Sequence, residues 1–361
     1  MTPDTELDVI RLTASPPVTA PAAAEAIRAC FGLAGELTRL PGEADDNFLL
    51  DTGGARGGRP PRSQQSKDGR YVVKFAHLRA DPRVVGVQVR VLRHIEAAAA
   101  GLPVPRVVSA VDGQPWAAVA EGPLRGRVVH VLSYLDGRLL RSVTTDQPLR
   151  RALGVTLAEL GRALRDFDDP LVHRPLLWDL AQLPRLRPLV AERPPGPRTS
   201  LITEQLARLT AEVSPRLAAQ RTQLVHNDFS PDNTLITADG GRVGGIIDFG
   251  DVTVTALVND VALAVANQLG DDADLLAPAL DLIAGYHATT PLTAEELGLL
   301  PDLILGRIVA RIIISEWRAE RFPQNRAYVL RNTPRAWEDL DRLLSIPRGQ
   351  IAARIQEATR A

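Results

Sequence analysis

Residues 224–251 read LVHNDFSPDNTLITADGGRVGGIIDFGD. In the first half, LVHNDFSPDNTLI, polar residues stand between two short apolar segments, which predicts a tight loop holding Asp228 and Asn233 between strands. In the second half, GGIIDFGD, an apolar strand ends in Asp248 and turns at Gly250, so that its carboxylate is expected to converge on the same space. Phosphoryl transfer needs such a set. Magnesium ions bridge nucleotide phosphates through hard oxygen ligands, while a separate carboxylate takes or orients the proton of the attacking hydroxyl. Asp228 suits the base role, and Asn233 with Asp248 the metal roles. Their bland alternative is a turn cluster whose carboxylates cap nearby amides. His226 is read as packing and holding the loop, and Asp260, inside a helical run, as bracing it. Asp251 stays open between a metal or nucleotide contact and a cap.

Further out, Lys74 closes the apolar strand Tyr71–Phe75, an unusual place for a charge unless it meets the α- and β-phosphates. A helix over 82–100, with Val85, Val89, Leu92 and Ile95 at helical spacing, supplies Gln88 as its partner, where a kinase ordinarily has a glutamate. The backbone of Ser133–Leu135, following the last strand of that sheet, is the candidate purine contact. Its alternative is an ordinary connector.

The chain has 361 residues, 45% hydrophobic and 24% charged, with a net charge of -1. That is enough for two core-bearing lobes, and it offers no global positive field for nucleic acid or an anionic membrane. No apolar stretch approaches the roughly 20 residues that span a bilayer. One cysteine, Cys30, cannot form an internal disulfide, and a cytoplasmic protein is expected. Residues 1–22 read as a flexible arm. Residues 23–135 read as an antiparallel β lobe with one helix, with strands at 47–51, 71–75, 106–111, 116–120 and 128–134. A Gly-, Pro- and Arg-rich exposed insertion at 53–70 interrupts it. Residues 136–361 read as a mostly helical lobe, with helices carrying Leu149 to Phe167 and spanning about 201–220. The fold class is α+β and bilobal, with the site expected in the cleft between lobes.

The two motifs together, H-x-D-x-x-x-x-N from His226 to Asn233 and I-D-F-G-D from Ile247 to Asp251, resemble the aminoglycoside phosphotransferase and choline kinase family of protein-kinase-like folds. The segments LPGEADDNFLL (40–50), HRPLLWDL (173–180), IDFGDVTVTALVNDVALAVA (247–266), PQNRAYVL (323–330) and AWEDLDRL (336–343) are similar to the hydroxylysine kinase-like branch. The likeness covers roughly 25–345, and that branch also shows a glutamine at the position of Gln88. It implies a phosphate-covering turn at 42–48 marked by Asn47, magnesium as cofactor, and ATP or GTP as donor. The function so implied is phosphoryl transfer to the hydroxyl of a small amine-bearing molecule, hydroxylysine-like. The alternatives are an antibiotic-inactivating kinase and a nucleotide-binding pseudokinase without turnover. His173, Trp178, Asp179, Arg311 and Glu316 are substrate-side candidates, an aromatic with nearby carboxylates being suited to an ammonium group.

Overall fold

Apolar residues at every second position of RYVVKF place Tyr71, Val73 and Phe75 on one face of a strand and Lys74 on the other. The computed structural model of the protein describes residues 16–42, 45–53, 68–271, 273–323 and 326–360. The expected arm lies outside these up to position 15, the insertion over 54–67, the 42–48 turn over 43–44, and the PQNRAYVL segment over 324–325. The chain divides into two units. One runs to Gly137 and takes in 169–171 and 244–250, and the other is made of Arg138–Asp168, Val172–Val243 and the chain from Asp251 on.

The first unit opens with α1 (Ala20–Phe31), capped by Thr19 and closed by Gly32 in the left-handed region at φ 65. Helix therefore begins at Ala20, inside the stretch read as an arm, because Thr19 and the following Pro21 form a start signal. The strands β1 (Glu36–Leu40), β2 (Asp46–Asp51), β3 (Arg70–Phe75), β4 (Val107–Val108), β5 (Ala117–Ala118) and β6 (Val128–Ser133) make one sheet in the order β1-β2-β3-β6-β4, with β5 also on β6. All its pairings are antiparallel. The reading of the sequence misses β1, a mostly exposed edge strand whose ELTRL has little apolar alternation. Pro105 and Pro115, which lack an N–H, and the turn at Gly113 (φ 82) keep β4 and β5 to two residues each. On the apolar face Phe48 and Phe75 meet edge to face at 6.1 Å, in a core shared with Ile27, Phe31, Leu50 and Val131. The helix α2 (Pro82–Ala98) is capped by Asp81 and buries Gln88 among its valines.

The second unit is mostly helical. After the short β7 (Arg138–Leu139), α3 (Gln147–Leu164) buries Leu149, Leu153, Leu157, Leu160 and Leu164 as its spacing predicts, and it ends before Phe167. Next come α4 (Arg187–Ala191), α5 (Pro197–Arg208) and α6 (Ser214–Ala218). The helix expected over 201–220 starts earlier, at Pro197, and residues 209–213 form a π-helical turn before Pro215 in α6. The strands β8 (Thr222–Val225), β9 (Thr234–Ile236) and β11 (Thr253–Ala256) follow, with β8 paired to β11 and β7 to β9, while β10 (Val243–Ile246) falls in the first unit from Gly244 on. Then come α7 (Leu257–Ala266), α8 (Ala277–Thr289), α9 (Ala294–Arg321), α10 (Arg326–Val329), α11 (Thr333–Leu344) and α12 (Arg348–Ala358). The helices α3 and α8 touch backbone to backbone: a Cβ on Gly154 would lie 2.0 Å from the Leu282 carbonyl oxygen, and one on Gly285 2.1 Å from that of Arg151. The 28-residue α9 starts with a capping box between Thr293 and Glu296 and is buried along most of its length. Among the described residues no helix is long and apolar enough to cross a membrane.

Candidate active site

In the first unit, antiparallel pairing sets Asn47, Lys74 and His130 opposite one another across β2, β3 and β6. Directly opposed residues share a face, so the three make one polar row on the side away from the aromatic core. Lys74 Nζ lies 3.3 Å from Asp248 Oδ1, with 14% of the lysine side chain and 50% of the aspartate's exposed. His130 is buried, and burial together with the Lys74 charge pushes its imidazole down to about 3. It is therefore a neutral neighbour of the lysine at any ordinary pH.

Asp248 follows β10, whose Ile246 donates its N–H to the Pro103 carbonyl at 2.8 Å. Its own backbone is left-handed at φ 63, a conformation that costs a non-glycine residue roughly 1–2 kcal/mol. Such strain persists where the surroundings fix a side chain in a required place. Here it leaves the carboxylate outside while Phe249 is buried. Gly250 fits close beside this turn, since a Cβ there would stand 3.3 Å from Asp248 Oδ1 and 3.7 Å from the Gln88 amide nitrogen. Gln88 thus faces the Gly250 turn. Among the described residues no hydrogen bond joins it to Lys74, which pairs with the Asp248 carboxylate instead.

Asn47 donates to the Pro41 carbonyl at 3.1 Å, from β2 back to the residue that follows β1. It lies in strand β2, whereas it was expected within a turn over 42–48. At the purine candidate, the Ser133 N–H bonds to the Arg106 carbonyl and the Tyr134 N–H to that of Arg70. Both donors are taken by strand pairing.

In the second unit, β8 delivers the chain into the loop 226–233, and its partner β11 runs directly into α7, which carries Asp260. The Asp260 carboxylate accepts the N–H groups of Asn227 at 2.8 Å and His226 at 3.3 Å. These bonds hold Asn227 left-handed at φ 62, a region asparagine tolerates. His226 is fully buried, and its Nδ1 accepts the Asp228 N–H at 3.2 Å. The loop closes on itself where Asn233 Nδ2 donates to Asp228 Oδ2 at 2.5 Å and to the Asp228 carbonyl at 3.2 Å. That bond also fixes the asparagine amide: with its nitrogen on Asp228, its oxygen is the atom turned outward, a hard neutral ligand of the kind magnesium takes. Beyond the loop tip, Asp232 pairs with Arg141 and with Arg331.

Burial raises the Asp260 carboxyl to about 6, against the two backbone bonds and the charge of Arg307, which pull it down. The unfolded chain loses this proton near pH 4, so the group's contribution to stability is full below that pH. It is lost as pH rises through about 6, to a total of about 3 kcal/mol. Asp260→Asn keeps one acceptor but turns an amide against the other backbone N–H. Turnover is expected to fall roughly tenfold to a hundredfold, matching one lost bond and one orphaned donor. Urea melts at several pH values should show wild type losing stability relative to the variant between about pH 4 and pH 6.5. A constant difference across that range would contradict the buried-carboxylate picture.

A sequence model described as the phosphotransferase enzyme family matches residues 36–297. The chain belongs to the phosphotransferase enzyme family. Within this family the chain is 23% identical over 351 residues to the hydroxylysine kinase of Mus musculus, covering 92% of this chain and 91% of that one. It is 29% identical over 267 residues to the homoserine kinase of Methylobacillus glycogenes, covering 72% and 75%. Its fold is that of a solved phosphotransferase, the amicoumacin kinase hAmiN in complex with AMP-PNP, Ca2+ and Ami. The TM-score is 0.63 at 16% identity, over 91% of this chain and 96% of the other. The chain is a small-molecule kinase with a protein-kinase-like α+β fold.

Each of the substrate-side candidates has contacts within the protein. Asp179 is buried and caps the 3-10 helix Leu180–Leu186, accepting from Ala181 N, Thr255 Oγ1 and Asn259 Nδ2. Glu316 accepts from Arg193 at 2.6 Å and from the Trp337 indole at 2.8 Å. Both carboxylates are thus consumed inside the protein. Trp178 already carries a cation on its face, the guanidinium of Arg307 at 5.1 Å. Arg311 bonds to Asn267 Oδ1, and His173 is exposed, 4.0 Å from Asp168. Sequence reasoning missed His130 and Arg307. The register of β6 against β3 was the signal for the first, and an arginine in the apolar run of α9 for the second.

Proposed function

We propose that this kinase moves the terminal phosphoryl group of ATP or GTP, with magnesium, onto the hydroxyl of a small amine-bearing acceptor of the hydroxylysine and homoserine kind. The observation that carries the reading is the Asp228–Asn233 pair braced by Asp260. A carboxylate held through the backbone on one side and by an amide on the other is positioned to take a proton. The acceptor oxygen attacks phosphorus, the bond to the bridging oxygen of the leaving diphosphate breaks, and the hydroxyl proton passes to Asp228. Lys74 steadies the phosphates from β3. Asn233 Oδ1 and the Asp248 carboxylate are the hard ligands that would hold magnesium, whose charge neutralises the phosphates when bound. A cytoplasmic site of action fits the single Cys30, whose thiol burial and the Asp112 charge hold protonated. The hydroxylysine and homoserine kinases named above act, by name, on hydroxyl-bearing amino acids, and this supports that class over antibiotics.

Incubation with each nucleotide, magnesium and a panel of hydroxy amino acids, amino-alcohols and aminoglycosides, read by product mass, tests the acceptor class. Transfer to hydroxy amino acids is expected. Transfer to antibiotics alone would replace this reading with the antibiotic-inactivating one, and nucleotide binding with no transfer would make the chain a pseudokinase.

A further inference from the structure

We infer that Arg307 and Arg311 form the binding site for a carboxylate on the acceptor, so that the substrate is a hydroxyl-bearing amino acid and not an amino-alcohol lacking the carboxyl group. This rests on the kinase reading above and sharpens its acceptor.

The two residues stand one turn apart on α9, and side chains four positions apart share a helix face. Arg307 is only 6% exposed, and Arg311 is half-buried. Arginines in such places almost always meet a carboxylate. Among the described residues neither has one at ion-pair distance. Arg307 Nη1 donates to the Trp178 carbonyl at 2.7 Å and its guanidinium lies over the Trp178 ring, while Arg311 Nη2 donates to Asn267 Oδ1. Arg307 Nε is buried with no partner at all. Burial and the neighbouring Arg311 charge lower the Arg307 guanidinium to about 10, which leaves it protonated at neutral pH. Two like charges are therefore kept together inside the protein with donors to spare, an arrangement that an anion completes.

The location says which anion. Among the carboxylates, Asp339 acts most strongly on Arg311, followed by Asp228, and Arg307 feels Asp228, Asp251 and Asp179, so the loop's Asp228, the base, is the charge that reaches both. A carboxylate gripped by this pair belongs to a molecule whose other end reaches Asp228, and the planar guanidinium fork matches its two oxygens. The other carboxylates whose charge reaches the pair are engaged elsewhere, Asp179 with Thr255 and Asn259 and Asp339 with Arg335, so neither closes on a guanidinium of the pair.

The test compares acceptors that differ only in the carboxyl group: homoserine against aminopropanol, and hydroxylysine against the diamino alcohol left when its carboxyl is removed. Wild type is expected to favour the carboxylated member by roughly 10²- to 10⁴-fold in kcat/KM, as sites built to pair a polar group do. In Arg311→Gln that preference should fall below about tenfold, through KM for the carboxylated member. Arg307→Lys, which keeps the charge and loses the fork, should narrow it less, and it serves if the first variant fails to fold. A wild-type ratio near one overturns the inference. So does a variant that lowers both members equally while raising KM for the nucleotide, because the arginines would then serve the transferred phosphoryl group. Transfer to an aminoglycoside but to neither amino acid sinks the carboxylate site and leaves the kinase standing. No transfer to any acceptor sinks both.

Discussion

Asp228→Asn is expected to lower turnover by roughly 10²- to 10⁴-fold while leaving nucleotide KM within about threefold of wild type. The substitution keeps the size and planarity of the side chain, and its oxygen still accepts from Asn233 Nδ2 where the carboxylate does at 2.5 Å. The supports of the loop lie elsewhere, in the Asp260 bonds to His226 and Asn227. What disappears is the capacity to take a proton as the acceptor oxygen attacks. A loss of 10²- to 10⁴-fold corresponds to about 3–5 kcal/mol of barrier, the size that general bases supply. Steady-state kinetics with the acceptor saturating isolates this effect. Turnover equal to wild type would remove Asp228 from the mechanism.

Asp248→Asn is expected to act through the metal. Asparagine tolerates the left-handed backbone at φ 63 that Asp248 adopts, so the turn survives where alanine would add strain. The charge is lost, and with it the pairing to Lys74 at 3.3 Å. A carboxylate ligand to magnesium is worth several kcal/mol of charge stabilisation, so turnover should drop by roughly 10³-fold or more. Apparent nucleotide affinity should lose most of its dependence on magnesium, which a titration at fixed nucleotide reads directly. Asp248→Ala should be at least as damaged. Full activity in either variant would refute the metal role.

The polar residues of 224–251 are unusual enough in type and spacing that their chemistry is legible without coordinates. The loop and the turn fall where the apolar strand segments around them predict. Lys74 is legible for the same reason, as a charge in an apolar alternation. Its partner is not: the Asp248 contact is made 174 positions away in sequence, and nothing local in α2 or β10 announces it. The bracing role of Asp260 follows from an acid inside an apolar helix. The fates of Asp179 and Glu316 do not, because a carboxylate's partners are set by tertiary packing and these two are spent on Thr255, Asn259, Arg193 and Trp337. Arg307 looks in the sequence like an interruption of an apolar run, and only its buried, partnerless Nε marks it as a binding group. Strand β1 is hidden because an exposed edge strand carries little alternation to read.

The most direct measurement is the mass of a hydroxy amino acid after incubation with the wild-type protein and ATP or GTP, with magnesium present and with magnesium chelated. One added phosphoryl group is expected with the metal and none without it. An acceptor left unmodified under both conditions, across the panel and with the nucleotide demonstrably bound, would contradict phosphoryl transfer by this site.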